Sequence, residues 1–237
     1  MLDLKCLQEP YTKEFETRIK SIEQNFIELE ETYFYPEGGG QPTDSGKLTK
    51  QGKEYIITHV EKNSGQIKHY LENIEGLSVG DNVICSIDWA KRFNHMRYHT
   101  ATHVLSKVIF NHTGATVTGS QIYEHKARAD FNVESFDKAK LIEMEAQANE
   151  LLSQCKVTTS EFKERGEAFK DPDVIRTSEN IVPEWVKSVR IITVPGIDAQ
   201  ACGGTHVSNT CEVGVIKITK VDNKGKGHRR LYFELIN

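Results

Sequence analysis

Short runs rich in β-forming residues dominate the first part of the chain. Tyr33 to Tyr35, Tyr55 to Val60 and Asn82 to Ile87 are separated by clusters of Gly, Pro, Asn and Asp, the pattern of strands joined by turns. It predicts a small β-barrel-like domain over residues 1–88. At Asp88 the period changes. Trp89, Phe93, Met96, Ala101, Val104, Leu105 and Val108 recur at helical spacing until Thr113-Gly114 ends the run, so an amphipathic helix starts the second domain. Ser135 to Cys155 reads as another, its apolar stripe made by Leu141, Met144, Ala148, Leu151, Leu152 and Cys155. Strands are expected over Lys156–Phe162, Ser188–Val194, Gly214–Val221 and Arg229–Ile236. The fold class is therefore α+β: the barrel-like domain, then residues 89–237 with two main helices packed on an antiparallel sheet. No internal repeat or low-complexity segment is present.

Composition narrows the class further. With 237 residues, 38% hydrophobic, and 17 glycines, the chain is that of an ordinary globular protein and excludes a disordered, collagenous or coiled-coil one. Apolar stretches such as Val189 to Val194 fall far short of the roughly 20 residues that span a membrane. The opening MLDLKCLQEP lacks the apolar run of a secretory signal, so a cytoplasmic protein is expected. Five cysteines, an odd number spread along the chain, predict reduced thiols rather than a disulfide framework. The net charge is −4, but Lys217, Lys220, Lys224, Lys226, Arg229 and Arg230 stand against Asp222 alone within their segment. That run is either a solvated hairpin face or a local patch for phosphate.

Candidate chemistry lies in three places. The first helix carries His95, His99 and His103 at successive spacings of four, which stacks them on one face where two can chelate an ion. Ala201-Cys202-Gly203-Gly204-Thr205-His206 then sets a thiolate donor four residues from another imidazole, with two glycines between them for a tight turn. Two such pairs supply three imidazoles and one sulfur, a set that suits zinc better than magnesium or calcium. The bland readings are an inert buried thiol and a loop histidine. The third place is Glu37-Gly38-Gly39-Gly40-Gln41-Pro42-Thr43-Asp44-Ser45-Gly46. Three glycines in a row are costly in chain entropy, which fits either a close approach by a ligand or a plain hairpin turn. No Gly-Lys-Ser/Thr follows, so it is not a Walker loop.

His99-Thr-Ala-Thr-His103, Ala201-Cys-Gly-Gly-Thr-His-Val207, Tyr35-Pro-Glu-Gly-Gly-Gly-Gln-Pro-Thr-Asp-Ser-Gly46 and Gly227-His-Arg-Arg230 together resemble a known set of motifs. They are similar to those of the editing region of alanyl-tRNA synthetases and of the free-standing alanyl-tRNA editing proteins called AlaX, and the length resembles the medium-sized type. The resemblance implies hydrolysis in trans of Ser-tRNA(Ala), with Gly-tRNA(Ala) as a second candidate substrate. It also implies His99, His103, Cys202 and His206 as ligands of Zn2+. It places Gly38, Gly39, Gly40, Gln41 and Asp44 beside the substrate, and it expects one polar residue, Thr118, Ser120 or Gln121, to face the substrate side chain.

An aminoacyl ester is already activated, so the enzyme need only deliver water and hold the carbonyl. Zinc in an open site lowers the pKa of a water it binds to about 7. Four protein ligands fill a tetrahedral shell, however, which leaves a second option: zinc positions the substrate while a ribose hydroxyl or a histidine activates the water. Selectivity is simpler, because a pocket group that pairs with the serine hydroxyl is left unsatisfied by alanine. Other readings compete. A peptide-cleaving zinc hydrolase lacks support because HTATH has no glutamate after its first histidine. A non-catalytic RNA-binding module with a structural zinc would account for the basic segment. A synthetase fragment is disfavoured, since no segment resembles an ATP-binding activation domain and the chain opens on Met1.

Overall fold

The structure is a computed structural model and describes residues 4–171, 174, 182, 184 and 186–236. The chain divides between Asn94 and His95 into two units. The first is a closed six-stranded antiparallel barrel, with burial alternating along strands such as Glu14–Ile22 and Asn82–Ile87. Its strands are β1 (Glu14–Ile22), β2 (Phe26–Leu29), β3 (Gly46–Lys50), β4 (Lys53–Asn63), β5 (Gln66–Leu71) and β6 (Asn82–Ile87), in the order β1-β2-β5-β4-β3-β6. A single-turn helix, α1 (Lys5–Gln8), precedes them. The inward side chains Ile19, Ile27, Leu48, Ile57, Val60 and Cys85 are buried and fill the barrel, which removes the exposed sheet edges an open sheet would leave.

Tyr33 to Tyr35 is not a strand, which corrects the sequence reading. Phe34 and Tyr35 are buried, yet their amides are taken by side chains rather than by a neighbouring strand: Phe34 N donates to Thr32 Oγ1 at 3.2 Å and Tyr35 N to Asp44 Oδ2 at 2.7 Å. Aromatic content signalled burial there, not a ladder.

Helix α2 (Trp89–Thr113) begins at the predicted position, with Lys91 N donating to Asp88 Oδ1 at 3.2 Å. The second unit continues with β7 (Val117–Ile122), β8 (Ala127–Phe131), α3 (Lys138–Ser153), β9 (Thr159–Glu164), α4 (Arg165–Ala168), β10 (Ser188–Val194), β11 (Asp198–Ala201), β12 (Val215–Asn223) and β13 (Arg229–Ile236). These strands form a four-stranded antiparallel sheet, β12-β13-β8-β7, and a three-stranded one, β11-β10-β9. Leu231, Phe233, Ala127, Ala129 and Phe131 make the buried face of the larger sheet. Tyr98 of α2 packs there against Phe233, ring centroids 5.8 Å apart. Helix α3 starts later than expected because Asp137 caps it, accepting from Lys140 N at 3.0 Å. It closes the outer edge of β12, where Asn149 exchanges two hydrogen bonds with the Ile216 backbone at 2.7 and 2.9 Å.

Cys155 and Cys211 form a disulfide, Cα atoms 4.7 Å apart across 56 positions, which corrects the expectation of five reduced thiols. The chain brings the end of α3 against the 3₁₀ turn Thr210–Glu212, where Thr210 Oγ1 donates to Leu152 O at 2.8 Å. Spacing alone does not reveal that proximity. Among the described residues no helix is long and apolar enough to cross a membrane.

Candidate metal centre

Helical geometry puts His99 and His103 one turn apart on α2, and both are buried. The Cys202–His206 loop follows β11 and turns its two donors onto them. One ligand atom from each of His99, His103, Cys202 and His206 lies within 4.8 Å of all the others, so the group could hold a metal ion. Cys202 Sγ is 3.3 Å from both His99 Nε2 and His206 Nε2. His95, the remaining histidine of the helical triplet, is buried as well but is not in the group.

The protonation states suit a metal. Burial by itself raises the pKa of Cys202, but the imidazoles of His99, His206 and His103 outweigh it and bring the thiol well below its ordinary value. For His206 burial lowers the pKa, the thiolate of Cys202 opposes it, and the net effect holds the ring well below the ordinary histidine value. A deprotonated sulfur beside a neutral imidazole is what metal ligation requires. Three nitrogens and one thiolate are the donor chemistry of zinc rather than of an oxygen-loving cation.

Three residues that the sequence reading passed over build this site. Arg190 of β10 is buried and pins the loop, its Nη1 donating to Gly204 O at 2.6 Å and to Cys202 O at 3.3 Å while Nε reaches Ser160 Oγ at 2.8 Å. Asp198 Oδ2 lies 3.5 Å from His103 Nδ1. Thr100 Oγ1 lies 3.1 Å from His206 Nδ1. Their signal in the sequence is weak: an arginine and an aspartate inside otherwise apolar strands. Gly203 is not held by backbone need, since its φ is not positive and an added Cβ would meet open space.

Of the other expected site residues, those of the glycine-rich motif belong to the barrel unit and those of β7 to the second unit. Gly39 and Gly40 have φ of 58° and 79° and form the turn between Gly38 and Gln41, whose backbones pair in both directions at 2.9 and 3.2 Å. Two consecutive positive φ values account for the glycines as a hairpin turn. Gln41 is buried, and the buried Asp44 carboxylate is engaged by Arg92 and by the Tyr35 amide within the barrel unit. Of the three candidates on β7, Ser120 pairs with Ala129 and shares the buried face of the sheet, the face that meets α2. Gln121 pairs with Arg128 on the opposite face, and Thr118 is exposed at a bulge.

In the basic segment, acids answer three of the six cations, two of them from other elements. Lys217 pairs with Glu145 at 2.8 Å, Lys220 with Asp222 at 2.9 Å, and Arg230 grips Asp130 through two bonds of 2.7 Å. Arg229 Nη1 donates to Asn223 Oδ1 and to two carbonyls of its own turn. Lys224 and Lys226, exposed at the hairpin tip, make no ion pair among the described residues.

The barrel unit and the helix-on-sheet unit that carries the four convergent donors both match domains of tRNA synthetases. Residues 189–232 match the family described as the threonyl and alanyl tRNA synthetase second additional domain, and residues 2–91 match class II (A) tRNA synthetases. The chain is 42% identical over 233 residues to the alanyl-tRNA editing protein AlaX-M of Methanosarcina barkeri, covering 96% of each chain. It is 40% identical to the AlaX-M protein of Saccharolobus solfataricus at the same coverage. It also matches the alanine–tRNA ligase of Methanococcus aeolicus at 37% identity, over 24% of that longer protein. The chain belongs to the AlaX-M family of alanyl-tRNA editing proteins.

Proposed function

We propose that this chain is a cytoplasmic trans-editing hydrolase that cleaves the aminoacyl ester of Ser-tRNA(Ala), with one zinc ion held by His99, His103, Cys202 and His206. The convergence of a thiolate and three imidazoles on one point in an AlaX-M chain carries this reading. Zinc, when bound, supplies Lewis acidity at the ester carbonyl. Everything else falls to the protein. Arg190 fixes the Cys202–Gly204 backbone, and the open space beside Gly203 leaves room for an acyl group. Ser120 is the best placed of the β7 candidates to accept or donate to a serine hydroxyl, because its side chain is on the face that meets α2. An alanyl group leaves that partner unpaired at about 1 to 3 kcal/mol, roughly 5-fold to 150-fold in rate. Lys224 and Lys226 are the cations available to a tRNA phosphate.

Deacylation of Ser-, Gly- and Ala-tRNA(Ala), with and without chelator, tests the proposal. Ser-tRNA(Ala) should decay and Ala-tRNA(Ala) survive, and chelation should abolish the difference. Ser120→Ala should lower the serine-to-alanine rate ratio with metal content intact. Four protein donors also describe a structural zinc, so the absence of decay on every substrate would return the chain to an RNA-binding module.

A further inference from the structure

We propose that Asp198 and Thr100 are positioning residues: Asp198 presets the tautomer of His103 and Thr100 orients the ring of His206, so that both rings offer Nε2 to the metal. A neutral imidazole carries one N–H, and ligation through Nε2 requires that proton to sit on Nδ1. His206 turns Nε2 to Cys202 Sγ at 3.3 Å and Nδ1 to Thr100 Oγ1 at 3.1 Å. His103 faces Nδ1 towards Asp198 Oδ2 at 3.5 Å, an ion-pair contact longer than a hydrogen bond, which leaves its Nε2 as the nitrogen for the cluster. The opposite tautomer of His103 would set a ring lone pair against a carboxylate in a dry interior, so the carboxylate selects the proton's position.

The two residues are placed to do nothing else at the surface. Both are buried, and the Asp198 side chain is 1% exposed. Thr100 follows His99 directly on α2, and its Oγ1 also accepts from Val207 N at 3.3 Å, which ties the far end of the donor loop to the helix. Asp198 opens β11, and Gln200 Nε2 donates to the same carboxylate oxygen at 3.0 Å, holding it in place. Its negative charge offsets part of the positive charge that a divalent ion brings into a buried site. Partners of this kind raise ligand basicity and fix ring orientation.

The inference rests on the metal-centre reading, and the experiment separates the two. Zinc affinity of the full-length chain is measured by competition with a chromophoric chelator, alongside the thermal midpoint of the metal-depleted protein. Asp198→Ala should bind zinc about 10-fold to 100-fold more weakly. Thr100→Val should shift affinity in the same direction, and Asp198→Asn, which keeps an oxygen acceptor, should lose less than Asp198→Ala. A purely structural Asp198 would lower the metal-free midpoint and leave affinity at the unsubstituted value, and that result overturns the proposal. Should Asp198→Ala fail to fold, Asp198→Ser, too short to reach His103, takes its place with the same expected loss. An unsubstituted chain that takes up no zinc overturns the metal centre itself, before any variant is compared.

Discussion

Asp44 lies in the glycine-rich motif that resemblance puts beside the substrate, yet its surroundings are those of a structural anchor. The Arg92 and Asp44 side chains are fully buried, and Arg92 also donates to Pro10 O at 2.9 Å and Tyr33 O at 2.7 Å. Asp44→Ala would leave a guanidinium without its counter-charge in the interior and the Tyr35 amide without an acceptor. Removing one partner of a buried pair costs about 3 to 5 kcal/mol. Arg92→Met should cost a similar amount, because it strands the carboxylate instead. The double variant removes both charges and should cost about as much as one single change, well short of the sum. The expected coupling is therefore at least about 2 kcal/mol, against the few tenths seen for independent sites. Denaturant unfolding of the full-length chain, with hydrogen exchange to assign transitions to the barrel, measures it. Additivity of the two single changes within about 0.5 kcal/mol would refute the reasoning. So would an Asp44→Ala protein of undiminished stability that has lost only activity.

Three further outcomes are expected. Cys202→Ala should emerge from purification depleted of zinc by elemental analysis, since it removes the thiolate from the group of four donors; stoichiometric zinc would exclude Cys202 as a ligand. Replacing Lys224 and Lys226 together by alanine should weaken tRNA binding and reduce its log-log salt slope by roughly 0.7 to 0.9 per lost phosphate contact, while Lys217→Ala, whose ammonium is already paired, should change the slope less. His69 is buried in the barrel with its pKa lowered from 6.5 to about 4, chiefly by burial. The unfolded chain takes up that proton first, so this contribution to stability is complete above pH 6.5 and drains as pH falls towards 4. At about 1.4 kcal/mol per unit the loss approaches roughly 3 kcal/mol, and His69→Gln should flatten the slope in unfolding experiments between those limits.

The parts of the structure that could be read from the sequence are those encoded over short distances. The apolar period locates α2 to within a residue, β10 and β13 have the expected bounds, and each donor pair is visible because four residues make one turn of helix or one tight loop. What stayed hidden depends on partners far along the chain. β7 is polar and glycine-containing, so it carries no strand pattern of its own and exists because β8 pairs with it. The acids that neutralise Lys217 and Arg230 sit in α3 and β8, so a charge count within the hairpin overstated the patch. Cys155 and Cys211 looked unrelated for the same reason. Composition does not distinguish Thr118, Ser120 and Gln121, whereas strand pairing puts Ser120 and Gln121 on opposite faces and Thr118 at a bulge.

The same distances bear on how the proposed activity keeps its selectivity. His99 and Cys202 are 103 positions apart, so an ion shared between them cross-links α2 to the donor loop as a disulfide would, and the constraint acts mainly on the unfolded chain. On the far side of that loop the Cys155–Cys211 bridge fastens the 3₁₀ turn to the end of α3, while Arg190 clamps the loop's carbonyls from β10. The segment from Cys202 to Cys211 is thus held at its start by Arg190, in its middle where Val207 N donates to Thr100 Oγ1, and at its end by the disulfide. The proposed discrimination by one hydroxyl contact would draw on that rigidity. A loop free to shift by about 1 Å could let an alanyl group settle into a productive pose. On the proposed activity, a loop fixed by a bound ion, by Arg190 and by the disulfide would give an alanyl group no compensating contact, and correctly charged tRNA would be spared.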